Sequence, residues 1–270
     1  MPKALYEKRG SIAYVTLNRP EARNAVDLEM HELLWEIWRD FDEDDDLALA
    51  ILTGAGDDAF CAGADLKTHF PQWLEQADAL LPRRKIRDGL GGITRGLHRI
   101  TKPIIGAVNG WALAGGFEIA LACDLRIASD RAMFGSFEVR RGFHHGDGGI
   151  VRLVNTCGSG FALEMLLTGE PVDAERAQRR GLVSTVVPHD ELLDAAEDLA
   201  ARVLRNDQWA IRSAKETILD VIGRPLDDQL ALEAVYGYSG AANPAIPDRL
   251  RHFYDKTDPG RAGQHTTPVD

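Results

Sequence analysis

The chain has 270 residues, 44% of them hydrophobic, and a formal net charge of −11. This is enough apolar chain for one large globular domain with a two-sided core, or for a core domain with a small helical extension. The acidic balance argues against a nucleic-acid binder, which would present a basic face, although a small anionic ligand needs only a local cationic patch.

The N-terminal stretch from Met1 to Arg9 lacks the unbroken apolar core of a signal peptide, and no window approaches the ~18 apolar residues of a membrane span. The expectation is a soluble, cytoplasmic protein with no membrane partner. Cys61, Cys123 and Cys157 are odd in number and lie in apolar or glycine-rich surroundings, which reads as reduced thiols rather than a disulfide framework.

In chain order, Ile12 to Leu17 alternates as a strand and stops at Asn18-Arg19-Pro20. A helix follows: Asp27 is placed to cap it, and Met30, Leu34, Ile37 or Trp38, and Phe41 repeat at helical spacing before the solvated acidic turn Asp42 to Asp46. Residues 47–53, 104–108 and 125–128 are short apolar strands closed by turn residues, and strands separated by helices predict an α/β architecture. Between them, residues 68–101 hold Phe70 to Leu74, the basic Arg83-Arg84-Lys85, and glycines at 89, 91, 92 and 96. Those glycines either make room on a helix for a bulky ligand or mark a mobile loop. From about 194 to 255 the apolar residues follow helical spacing, broken at Pro225, Pro244 and Pro247, and residues 258–270 read as a loose tail.

The densest signal is Asn109 to Glu118, where the pair Gly115-Gly116 stands just ahead of an acid at the start of an apolar, helix-like run. Glycines there leave the unpaired N–H groups of a helix's first turn open to an anion, and the apolar run after Glu118 holds its carboxylate away from bulk water. A second acid, Glu138, follows twenty residues later. Backbone donors for an anion plus two carboxylates is a set suited to moving a proton next to a carbonyl. Tight strand-to-helix packing explains the glycines equally well.

Four separated segments decide between these readings. They are Leu17 to Ala25 (LNRPEARNA); Leu52-Thr53-Gly54 with Phe60 to Lys67 (FCAGADLK); Lys102-Pro103 leading into Asn109 to Glu118 and Ala122-Cys123-Asp124; and Glu138 with Gly148-Gly149, Leu167 to Glu170, and Ala177 to Val183. In this order they resemble the crotonase, or enoyl-CoA hydratase/isomerase, superfamily, and the resemblance covers about residues 10–255.

The resemblance implies an α/β fold built as a spiral of ββα units with a C-terminal helical region. Residues 1–193 would form the spiral core with the acyl-CoA site, and 194–257 a helical region that makes a homotrimer or a dimer of trimers. It further implies an oxyanion hole from the N–H groups of Ala64 and Gly115, and Glu118 and Glu138 as the catalytic pair that hydrates a trans-2-enoyl-CoA. Coenzyme A would be bound as part of the thioester substrate, along Arg23, Ala62, Asp65, Leu66 and Lys67 with Lys256 a weaker candidate, and no metal or redox cofactor is called for.

One stretch departs from the pattern. Relatives usually carry a proline ahead of the Gly-Gly pair, whereas this chain has His145, and Asp147 adds a carboxylate. Either the two form an additional acid/base for another acyl-CoA reaction, an isomerisation or a hydrolysis, or Asp147 caps the helix near Gly148 and His145 fills space. A reading of a different class, a non-catalytic acyl-CoA-binding or assembly scaffold, would leave the chain free to lose its acids, and both are present.

Overall fold

In a computed structural model of the chain, the structure describes residues 1–68 and 88–255. The segments Phe70 to Leu74 and Arg83 to Lys85, Lys256 and the 258–270 tail lie outside the described residues.

Strand β1 (Ala4–Arg9) turns back at Gly10, whose φ is +57°, and pairs antiparallel with β2 (Ile12–Leu17). Helix α1 (Leu28–Glu43) then starts where the sequence predicts: Asp27 is extended and its side chain accepts from Met30 N–H at 2.9 Å. Met30, Leu34, Ile37, Trp38 and Phe41 are the face it buries. The chain returns as β3 (Leu49–Gly54), parallel to β2.

From here the path repeats. The strands β3, β5 (Ile104–Val108) and β7 (Leu125–Ser129) lie side by side and parallel in one sheet, completed by β10 (Thr185–Val187) to the order β1-β2-β3-β5-β7-β10. After each of the three, the chain adds a short strand to a second sheet: β4 (Ala59–Cys61), β6 (Trp111–Leu113) and β8 (Met133–Gly135), joined by β9 (Val172–Asp173) in the order β4-β6-β8-β9. This alternation is the ββα spiral that the resemblance implies. Strand β5 is buried along its whole length, which fits a parallel sheet covered on both faces.

Helix α2 (Gly115–Ala122) follows β6 and is buried from Gly115 to Leu121. It lies against the backbone of β4 so closely that a Cβ on Gly116 would stand 2.1 Å from the Cys61 carbonyl oxygen. Only glycine fits there. The glycine-rich segment 89–96 is a run of turns rather than helix; Gly91 takes φ +66°, a conformation costly for any other residue type. A 3₁₀ turn (Phe137–Arg141), α3 (Gly149–Cys157), α4 (Ser159–Thr168), α5 (Ala174–Arg179) and α6 (Leu192–Leu204) complete this part of the chain.

Residues Met1–Ala200 form one compact unit, holding both sheets, and Ala201–Asp270 a second. The second contains α7 (Gln208–Val221), α8 (Leu226–Ser239) and α9 (Ile246–Tyr254). Pro225 stands at the N-cap of α8 and Pro247 in the first turn of α9, so these prolines mark boundaries as expected. Within this unit Tyr236 donates to Asp220 at 2.6 Å. Among the described residues no helix is long and apolar enough to cross a membrane.

Because the atom opposing Gly116 is main chain and cannot swing aside, Gly116→Ala is expected to lower the unfolding free energy by about 3 kcal/mol. A denaturant titration showing an unchanged midpoint would mean that α2 can lift off β4 without loss.

Candidate active site

Two elements carry the acids. Glu118 sits in the first turn of α2, one turn beyond Gly115, and Glu138 lies in the 3₁₀ turn that follows β8. Both are buried, at 3% and 4% exposure. A buried carboxylate needs donors or a counter-charge. Glu118 has both: its Oε1 accepts from the backbone N–H of Asp147 at 2.7 Å and of Gly149 at 2.9 Å, and His145 Nδ1 stands 3.5 Å away.

The same Nδ1 lies 2.8 Å from Glu138 Oε1. It is within ion-pair distance of both acids, and its N–H is aligned with neither well enough to form a single hydrogen bond. The opposite ring nitrogen, Nε2, is 2.8 Å from Ser136 Oγ. Burial alone pushes this imidazole's pKa down, but the Glu118 and Glu138 carboxylates outweigh that and raise it from 6.5 to about 9. The remaining oxygen of Glu138, Oε2, is buried and has no hydrogen-bond partner among the described residues.

Gly149 is part of this packing, since a Cβ there would come within 2.8 Å of His145 Nδ1 and 2.9 Å of Glu118 Cγ. Glu118, Glu138 and His145 each offer one ligand atom, all within 4.8 Å of one another, the one such grouping of acids, histidines and cysteines among the described residues. Within the grouping the two carboxylates face Nδ1 itself, at 2.8 and 3.5 Å. The geometry is that of a charge-paired cluster.

Two backbone amides face the start of α2. A parallel bridge joins Val26 to Ala64, with Val26 N–H donating to Gly63 C=O and Asp65 N–H donating to Val26 C=O, both at 2.8 Å. In that pattern the N–H of Ala64 itself points away from Val26. It lies 3.4 Å from where a Cβ on Gly115 would sit, so the Ala64 amide and the first residue of α2 are neighbours. Neither Ala64 N–H nor Gly115 N–H donates to an acceptor among the described residues. Ala114, just ahead, is held at φ 52°, ψ −126°, a strained conformation for alanine, by its N–H bond to Gly135 C=O at 2.9 Å.

The other residues predicted from sequence fall less centrally. Arg23 is exposed, in a left-handed conformation, and lines a cavity of about 250 Å³ with Asp58 and Trp111. Ala62 is half-buried and its N–H donates to Arg23 C=O; Leu66 and Lys67 are exposed. Asp65 pairs with Arg19, 46 residues earlier, at 3.0 Å and accepts from Lys67 N–H in its own loop.

Asp147 does not cap α3, whose N-cap is Gly148 without a side-chain bond. It pairs with Arg95 at 2.6 Å and accepts from Leu90 N–H at 3.2 Å, so it ties the 88–98 turns to the loop that holds Glu118. Ser136 is the contributor that sequence reasoning missed. A serine between two short apolar runs carries no local sign that a histidine nine residues on will reach it.

A model of the family described as enoyl-CoA hydratase/isomerase matches residues 7–260. The chain belongs to the enoyl-CoA hydratase/isomerase family. It is 40% identical to an (E)-benzylidenesuccinyl-CoA hydratase of Thauera aromatica, over 84% of each chain, and 36% identical to a short-chain-enoyl-CoA hydratase of Clostridium acetobutylicum, over 85% of this chain and 86% of that one. Among solved structures, an enoyl-CoA hydratase from Mycobacterium tuberculosis H37Rv superposes with a TM-score of 0.84 at 36% identity, covering 95% of this chain and 97% of the other. Membership of the enoyl-CoA hydratase/isomerase family thus accounts for the ββα spiral and the C-terminal helices.

The raised pKa of His145 links the cluster to pH. A group whose pKa is higher in the folded state adds stability that is fully present below its unfolded value, near 6.5, and is lost as pH rises through about 9. Denaturation measured from pH 6 to 10 is therefore expected to show a fall in unfolding free energy across that window, on the order of 3 kcal/mol at most, and His145→Gln is expected to flatten it.

Proposed function

We propose that this chain is an enoyl-CoA hydratase, adding water across the double bond of a trans-2-enoyl-CoA to give a 3-hydroxyacyl-CoA, and catalysing the reverse dehydration. The observation that carries the reading is the convergence of two buried acids, Glu118 and Glu138, on one atom of His145, with Glu118 one turn from the unpaired amide of Gly115.

The chemistry follows from these positions. The thioester oxygen of the substrate accepts from the N–H groups of Ala64 and Gly115, which stabilise the negative charge that builds there when the double bond is attacked, at about 3 kcal/mol per donor. Glu118, fixed by two backbone N–H groups, orients a water and takes its proton as the oxygen adds to C3. In the substrate complex Glu138 carries the proton that it delivers to C2 as the enolate collapses, through Oε2, which has no hydrogen-bond partner among the described residues; Glu118 ends the step protonated and the proton returns to Glu138, which resets the pair. The substrate supplies the only coenzyme, and Arg23, at the rim of the cavity with Trp111, together with Lys67, is assigned to its phosphates.

Two further expectations accompany this reading. Leu226, Leu230, Val235 and Tyr238 of α8 are more than half exposed, an apolar surface that supports assembly into a homotrimer or a dimer of trimers. Three free cysteines support a reducing, cytoplasmic location. The alternative of a His–Asp base for hydrolysis loses its support where Asp147 pairs with Arg95.

The purified protein is expected to remove the conjugated absorbance of crotonyl-CoA. Glu118→Gln and Glu138→Gln are each expected to lower kcat at least about 100-fold while leaving CoA affinity within about 3-fold. Crotonyl-CoA that binds tightly and stays unchanged would point to another acyl-CoA reaction, and no binding at all to a scaffold.

A further inference from the structure

We propose that His145 is a positioning residue whose imidazolium bridges Glu118 and Glu138, setting the spacing of the two acids and offsetting the charge they bring into the buried site. This deepens, and for its kinetic part rests on, the hydratase reading above.

Four observations converge on it. The imidazole is enclosed, with its side chain 1% exposed, and the carboxyl groups on either side are 4% exposed, so solvent cannot screen the repulsion between them. Nδ1 stands 2.8 Å from one and 3.5 Å from the other, and a proton shared between two acceptors explains why it is aligned with neither. Nε2 meets Ser136 Oγ at 2.8 Å, so an imidazolium has a hydrogen-bond partner at Nε2 and two carboxylates within ion-pair distance at Nδ1. Gly149 leaves space for no Cβ, and the ring is held against the acids from the side of α3.

The charged and polar groups around the cluster are consistent with a cation at this position. On α2 and in the 3₁₀ turn, the facing groups are the two glutamates. Ser136 is neutral, and His144 turns its Nδ1 to the His145 carbonyl oxygen at 2.7 Å. Asp147 is directed to Arg95, and the guanidinium of Arg152 on α3 donates to the carbonyls of Asp147 and Thr94. Arg95 is engaged with Asp147, Arg152 adds its charge to the field at Glu118 while bonded to main-chain carbonyls, and His145 is the group within ion-pair distance of both glutamates. The raised pKa of the imidazole agrees with this geometry.

A side chain without a ring nitrogen at this position could do none of this. In this chain, loss of the proton from His145 removes the bridge, so turnover acquires a basic limit that the bridge itself sets.

The test has two arms. In the first, NMR titration of His145 in the full-length protein without substrate, assigned by the signal missing in His145→Gln, is expected to show an imidazole still protonated at pH 8. Glu138→Gln is expected to lower its midpoint by at least about one pH unit, a tenfold change in proton affinity. A neutral ring at pH 7, or a midpoint indifferent to Glu138→Gln, overturns the proposal.

In the second arm, kcat/KM for crotonyl-CoA in the wild type is expected to fall as pH passes about 9. His145→Gln is expected to abolish that limb and lower kcat about 10- to 100-fold with KM within about 3-fold. An unaltered profile in His145→Gln also overturns it. A wild type that fails to hydrate crotonyl-CoA while His145 still titrates high removes the hydratase reading and leaves the bridge intact; an active enzyme with a neutral His145 removes the bridge alone.

Discussion

The close approach of α2 to the backbone of β4 is the constraint on which the site depends. With no side chain at Gly116, the helix begins against the Cys61 carbonyl, and its first N–H group comes to lie beside the amide of Ala64. Residues some fifty positions apart in sequence are thereby made neighbours. The rotation of the helix about that contact determines where Glu118 emerges, so the placement of an acid and of two neighbouring amides are one geometric fact. Ala114 bears the strain of the entry into this helix, in a conformation alanine seldom adopts.

Around Glu118 the protein solves a problem of buried charge by combining two means. Backbone amides of Asp147 and Gly149 satisfy one carboxylate oxygen, and a histidine shared with Glu138 supplies a counter-charge. Either alone would leave an acid in an apolar surrounding with too little compensation. The network is also ordered from outside inward: Ser136 orients the ring, the ring contacts the acids, and one oxygen of Glu138 has no hydrogen-bond partner among the described residues. An oxygen with unsatisfied hydrogen-bonding capacity in such a place is where exchange of a proton with a bound molecule is least hindered.

Much of this was legible in the sequence because it rests on local signals. Asp27 ahead of a 3.6-residue apolar repeat places α1, the uniform apolar run of Ile104 to Val108 places a fully buried strand, and a glycine pair three residues before an acid marks the site. What escaped was set by tertiary partners. Strand β1 buries little more than Ala4, so its charged sequence shows no alternation, and β4, β6 and β8 are only three residues long, too short for a period to register. His145 and Asp147 show the limit most clearly. Adjacent in sequence and both titratable, they read as a pair, yet the fold sends one to two glutamates and the other to an arginine on a different loop.

That last division has a bearing on attempts to change the substrate range of the enzyme. Asp147 grips the turn around Leu90 with its side chain and Glu118 with its own amide, so the 88–98 region and Glu118 are tied to one residue. Remodelling those turns by directed evolution will therefore move Glu118 along with them, unless the link through Arg95 is rebuilt at the same time.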